Sequence, residues 1–196
     1  ANLGEVLTLF VATLLNWPIL LPIHILWINL VTDSLPALAL GVEEADKDIM
    51  EQKPANYNTS IFSNGLGINI ICHGIVEGFI TLFIFYIGIT KYTVEVSTTM
   101  AFATLGLIQL VHAFNVRTGD KSAFSKKFAS NKSLLWALLV SGILQIIVIV
   151  IPYFNHIFEV SYLNLNQWLW VVAASLSIIP VVEIIKFMKA KIKTKT

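Results

Sequence analysis

Asn29, Thr32 and Asp33 stand at i, i+3 and i+4 in the run Trp27-Ile28-Asn29-Leu30-Val31-Thr32-Asp33-Ser34-Leu35-Pro36. On a helix this spacing puts an amide, a hydroxyl and a carboxylate on one face, with their oxygens directed to one point. Pro36 follows Asp33 by three residues. It has no N–H, so the carbonyl of Thr32 loses its helical donor, and the ring crowds that carbonyl. Broken helices of this kind form ion sites from side chains and freed carbonyls together. A second pair, Asn2 and Glu5, stands at i, i+3 near the start of the chain. Every donor atom in this set is oxygen. Hard cations take such sets, and Ca²⁺ accepts roughly six to eight oxygens in flexible geometry. Zinc, copper or iron would ask for Cys or His. Two carboxylates at bilayer depth cost too much for a packing patch alone.

The elements that must hold these groups are membrane helices. Of 196 residues, 56% are hydrophobic and 13% charged, whereas an ordinary soluble domain carries about a quarter charged. Mean hydropathy is +0.77. These values exclude an ordinary water-soluble globule and make the lipid bilayer the expected partner. A net charge of +1 excludes a strongly basic nucleic-acid binder, so no nucleic-acid partner is expected. The lone Cys72 allows no internal disulfide and reads as a small buried apolar residue.

A crossing helix needs about 20 apolar residues. One stub, Asn2 to Leu15, falls short of that. Five stretches reach it: Ile19–Val42, Ile61–Ile89, Val96–Val116, Leu134–Pro152 and Gln167–Phe187. No strand-like alternation of about ten residues recurs. The expected fold is all-α, a polytopic transmembrane bundle of six helical segments. Its first segment is truncated, and its second is broken near Asp33–Pro36. Residues 1–196 form one membrane domain, with loops at 43–60 and 117–133. The sequence opens on Ala1 inside an apolar helical pattern and without a secretory signal pattern. A missing N-terminal half of the same chain is therefore expected as a further partner.

The turn at Asn16-Trp17-Pro18 makes the stub and the next helix antiparallel neighbours. From Glu5 to the turn is roughly 18 Å at 1.5 Å per residue, and the count from the turn to Asn29 is similar. The two polar groups then lie at matching depth. Of the thirteen basic residues, all but Lys91 fall in the 43–60 loop, the 117–133 loop or the segment from Lys186 onward. The excess of Lys and Arg places those loops and the C-terminus in the cytoplasm. Trp17, Tyr92, Tyr153 and Tyr162 fall toward the opposite interface, as an aromatic belt does. The lysine-rich end serves as an anchor of the same kind. The acids of the 43–60 loop (Glu43, Glu44, Asp46, Asp48, Glu51) read either as a solvated face or as a docking surface.

Other polar residues invite simpler readings. Glu183 lies three residues before Lys186, on the same helix face, and is expected to pair with it. Glu77 is expected to hydrogen-bond His73 one turn back, or a neighbouring helix brought close by Gly74 and Gly78. His73 and His112 read as buried hydrogen-bonding groups, since a metal centre would ask for three or four ligands. Gln109 is a further oxygen candidate from the fourth helical segment, although an amide bridging helices is common.

The run Asn29-Leu30-Val31-Thr32-Asp33, with Leu35-Pro36-Ala37 and Asp48-Ile49-Met50, resembles the sixth membrane helix of P-type calcium pumps. Asn2-Leu3-Gly4-Glu5-Val6 resembles their fifth helix. The stretches Asn166-Gln167-Trp168 and Glu183-Ile184-Ile185-Lys186-Phe187 resemble the tenth. The likeness covers essentially the whole chain, as the last six of ten helices. It implies that Asn2 and Glu5 are fifth-helix calcium ligands. It also implies that Asn29, Thr32 and Asp33 are sixth-helix ligands, with Asp33 able to bridge two ions. Gln109 falls where the two-ion animal reticulum pump has glutamate. That departure weakens one site and fits one calcium per cycle, although Glu5 keeps two open. Ser34 replaces a glycine of that pump, which stiffens the break. The family's phosphorylation motif, Asp-Lys-Thr-Gly-Thr, is not in this sequence. ATP and Mg²⁺ are therefore expected only in the full-length protein, with Ca²⁺ as cargo. Emptied carboxylates, here Glu5 and Asp33, would take up protons. The competing readings are a stand-alone channel or secondary transporter using the same cluster, and a non-catalytic scaffold.

Overall fold

The computed structural model describes residues 2–43, 66–117 and 131–193. Among them every regular element is helical: α1 (Asn2–Leu14), α2 (Pro22–Trp27), a π-helical segment (Ile28–Asp33), α3 (Ser34–Gly41), α4 (Leu66–Lys91), α5 (Val94–Arg117), α6 (Lys132–Val150), α7 (Pro152–Phe158) and α8 (Leu165–Lys193). The α2, π and α3 pieces run on as one span, Pro22–Gly41. That span, α4, α5, α6 and α8 are each long and apolar enough to cross a membrane, and α1 is shorter. Helices satisfy their own backbone groups, which hydrocarbon cannot do.

Several boundaries move from those expected. Arg117, Lys132 and Ser133 belong to α5 and α6, so the 117–133 loop is shorter than its sequence reading. Of the 43–60 loop, only Glu43 lies within the described residues. Pro152 opens the short helix α7, which was not expected, because proline suits the first turn of a new helix. The break in the second span is a turn of wide helix at Ile28–Asp33, just ahead of the expected Asp33–Pro36.

The helix α5 is the axis of the bundle. Small and hydroxyl residues line it (Ser97, Thr98, Thr99, Ala101, Ala103, Thr104, Gly106), and all of these are buried. Small residues let neighbouring backbones approach, which is how helices associate where lipid is as apolar as leucine. α4 and α8 flank α5 most extensively, and α6 and the π segment also touch it. Three of the hydroxyls are satisfied, Ser97 by donating to Thr93 O at 2.6 Å, whereas Thr104 Oγ1 has no hydrogen-bond partner among the described residues. Thr99 donates to Glu95 O at 2.9 Å, and Thr98 to Pro18 O at 2.9 Å. The largest apolar core gathers Ile28, Ile84, Phe102, Leu105, Val148 and Val171 from five elements.

The turn after α1 places Asn16 in the left-handed region at φ 54°, which asparagine tolerates better than most residues. The longest contact of α1 is with α4 rather than with the second span. Gly4, Gly74 and Gly78 line that seam. A Cβ on Gly78 would stand 3.4 Å from both Gly4 O and Thr8 Oγ1. α6 starts at an Asn131 cap, whose Oδ1 accepts from Leu134 N at 2.8 Å. α8 starts at a reciprocal box: Gln167 N donates to Asn164 Oδ1 at 3.0 Å, and Asn164 N to Gln167 Oε1 at 2.7 Å.

Candidate cation site

Glu5 sits on the first turn of α1 and is 3% exposed. Its Oε2 accepts from Asn29 Nδ2 at 3.0 Å, and its Oε1 accepts from Gln109 Nε2 at 2.7 Å. Thr32 Oγ1 donates to Gln109 Oε1 at 3.2 Å. One hydrogen-bonded chain thus joins α1, the π segment and α5. Each N–H on a carboxylate contributes about 1.5–3 kcal/mol, which offsets part of the cost of a charge at this depth.

The wide turn brings Asn29 and Thr32 to this point. Ser34 N–H reaches back to Asn29 O, five residues away, and Ser34 Oγ donates to the same oxygen at 2.6 Å. In such a turn residue i pairs with i+5. The partner of Val31 would then be Pro36, which has no N–H to give. Ser141 of α6 supplies the missing donor, with Oγ at 2.8 Å from Val31 O. The carbonyl that draws an outside donor is therefore that of Val31, whereas the sequence pointed to Thr32. One turn away, Trp27 Nε1 donates to Gln145 Oε1 at 2.9 Å. Residues 27 and 31 meet 145 and 141 in antiparallel register, so α6 braces the broken span from behind. Both Ser141 and Gln145 are fully buried. Their i, i+4 spacing in an otherwise apolar helix is the signal that could have found them.

The structure gathers Glu5, Asn29, Thr32 and Gln109. Asp33 ends the π segment, is half-buried, and takes no part in this network. Asn2 heads α1 and is exposed. Among the described residues no three His, Cys, Asp or Glu side chains gather as a metal centre. The set around Glu5 is a carboxylate with two amides and a hydroxyl, which suits a hard cation. Elsewhere, Glu183 and Lys186 pair at 3.5 Å as expected. Glu77 hydrogen-bonds neither His73 nor a neighbouring helix among the described residues; the nearest basic atom is His112 Nε2 on α5, at 4.0 Å. Cys72 is half-buried.

The family described as cation-transporting ATPase, C-terminus, matches residues 17–188. A calcium-transporting ATPase of Bacillus cereus is 43% identical over 208 residues, covering 96% of this chain and 23% of the relative. One from Listeria monocytogenes is 35% identical over 193 residues, covering 97% and 22%. The human calcium-transporting ATPase type 2C member 1 is 34% identical over 177 residues, covering 89% and 19%. The chain spans about a fifth of the length of these curated relatives.

Proposed function

This multi-pass membrane chain belongs to the cation-transporting ATPase family, in its C-terminal region, and from that premise we propose that it supplies calcium ligands to an ATP-driven calcium pump. The carrying observation is the convergence on Glu5 of Asn29 and Gln109, with Thr32 held to Gln109. These are oxygen-bearing side chains from three elements around a broken span. Three relatives are named for calcium transport, and an oxygen set of this kind suits that ion. Family membership sets aside the stand-alone channel and the scaffold.

In this reading Ca²⁺ is the cargo. Glu5 and Asp33 supply charge, Asn29 and Gln109 supply amide oxygens, and Thr32 supplies a hydroxyl. Asn2, on the helix face of Glu5, joins from the end of α1. Asp33 turns inward from the adjacent turn when the ion enters. ATP and Mg²⁺ act in the remaining part of the full-length protein, where an aspartate is phosphorylated and the membrane helices respond. The loops after the second and fourth spans, and the C-terminus, face the cytoplasm with the basic residues. Glu5 and Asp33 take protons when calcium leaves.

The test is calcium-stimulated ATP hydrolysis by the full-length protein in vesicles, comparing wild type with Asp33→Asn and Glu5→Gln. Stimulation that disappears in both variants is expected. Hydrolysis indifferent to calcium, or variants as responsive as wild type, would return the cluster to another cation or to packing.

A further inference from the structure

Glu77 is a second carboxylate buried in the bundle, 1% exposed. It faces α1, where a Cβ on Gly4 would stand 2.5 Å from its Oε2. Neither of its oxygens has a hydrogen-bond partner among the described residues. Gly4 has no side chain to offer, and the oxygens of Glu5 are engaged by Asn29 and Gln109. The nearest basic atom is His112 Nε2 on α5, 4.0 Å from Glu77 Oε1. His112 Nδ1 also lacks a hydrogen-bond partner among the described residues. His73, one turn before Glu77 on α4, meets His112 edge-on with ring centres 4.7 Å apart. Burial deepens along the row, from half-buried His73 to His112 and then Glu77.

The charges facing this row come from three other elements. Glu5 on α1 and Asp33 on the π segment act on Glu77. Lys186 on α8 acts on both histidines, and Lys189 acts on His73. Lys186 is itself engaged, by Glu183 and by Asn115 O. A bare carboxylate or a bare imidazolium at this depth is costly. One proton between Glu77 and His112 leaves the pair neutral, whichever member holds it. At 4.0 Å the two are beyond a direct hydrogen bond, so the proton rests on one member at a time.

We propose that Glu77 and His112 form a proton-binding site beside the cation cluster and distinct from it, holding one proton that exchanges with water through His73. Hydronium delivers the proton at His73, and water takes it back there. Only N–H and O–H bonds form and break. The site goes beyond the pump reading, because its occupancy is set by protons and not by cargo.

Infrared difference spectroscopy of the full-length protein in detergent tests this, titrated across the histidine range in H₂O and D₂O. Wild type is expected to show a carboxyl or imidazolium band that Glu77→Gln removes. The band persists at saturating calcium. His73→Phe keeps it and slows its deuterium exchange at least tenfold. Should Glu77→Gln fail to fold, His112→Gln must shift the band. Three results would overturn the proposal: no band altered by either variant, a band abolished by calcium (which would assign it to the cation ligands), or exchange in His73→Phe as fast as in wild type. None of these readouts needs transport. Wild type without calcium-stimulated hydrolysis would therefore sink the pump reading and leave the proton site to the infrared result.

Discussion

Replacing Ser141 by alanine asks whether the wide turn at Ile28–Asp33 is held from outside. The Ser141 hydroxyl is fully buried and donates to Val31 O at 2.8 Å. A net hydrogen bond is worth about 0.5–1.5 kcal/mol, and a buried acceptor left unpaired raises the cost to about 1–3 kcal/mol. In the register of the wide turn, the partner of Val31 five positions on would be Pro36, which has no N–H. If the loss falls on the conformation that presents Asn29 and Thr32 to Glu5, each ~1.4 kcal/mol weakens calcium binding tenfold. The expected shift is about 5- to 150-fold in the calcium giving half-maximal ATP hydrolysis, measured on the full-length pump, with the maximal rate little changed. Ser141→Thr, which keeps the hydroxyl, recovers most of the affinity. Ser177→Ala is the control, because Ser177 donates to Ala174 O of its own helix at 2.6 Å. A folded Ser141→Ala pump with half-saturation within twofold of wild type would refute the brace.

Gly4→Ala places a Cβ 2.5 Å from Glu77 Oε2 and 2.8 Å from Glu77 Cβ. It should destabilise by about 1–3 kcal/mol, seen as a lower unfolding midpoint, whereas Gly41→Ala, with nothing within 4 Å, should not. His24 is fully buried, with Nδ1 accepting from Leu21 N at 3.2 Å and Nε2 at 2.7 Å from Phe158 O. The donor role of Nε2 follows, and His24→Phe should cost about 1–3 kcal/mol by stranding both backbone groups; an unchanged midpoint would contradict this. Gln109→Glu sets a second acid where an N–H now meets Glu5 at 2.7 Å. Stability without calcium should fall by about 1.5–3 kcal/mol and recover when calcium is added. Equal midpoints with and without calcium would count against an ion between these residues.

The long spans were legible because membrane helices declare themselves by apolar length, and the moved boundaries concern only their ends. Asn29 and Glu5 were matched from residue counts alone, and they meet at 3.0 Å. The position of the break was less legible. Pro36 announces a lost donor, yet only the hydrogen-bond register decides which carbonyl loses it, and in a wide turn the count shifts from i+4 to i+5. Ser141 and Gln145 were unreadable one at a time, because a serine in an apolar helix usually bonds its own backbone, as Ser175 does to Val171 O at 2.8 Å. The early start of α8 was written in Asn164 and Gln167, a capping pair hidden by the search for apolar residues. Among the described residues Glu77 makes neither of the hydrogen bonds expected of it, to His73 or to a neighbouring helix, and it stands 4.0 Å from His112, because helix–helix geometry sets such distances and spacing along one helix does not.

The amides around Glu5 give its charge a substitute counter-ion built from the chain itself. Two N–H groups stand against the carboxylate oxygens where a cation would bring its field. Rotating the last torsion of Asn29 or Gln109 replaces nitrogen by oxygen, and such torsions are broad and roughly two-fold. Two swivels would convert a lining of donors into a lining of acceptors with no change in the helices. Admission then becomes an exchange reaction, in which the ion must return more than the bonds it releases. At equal distance a monovalent ion returns about half the attraction of a divalent one while releasing the same bonds. Under the proposed calcium reading, the resting network would sort ions by valence before the size of the cavity is consulted.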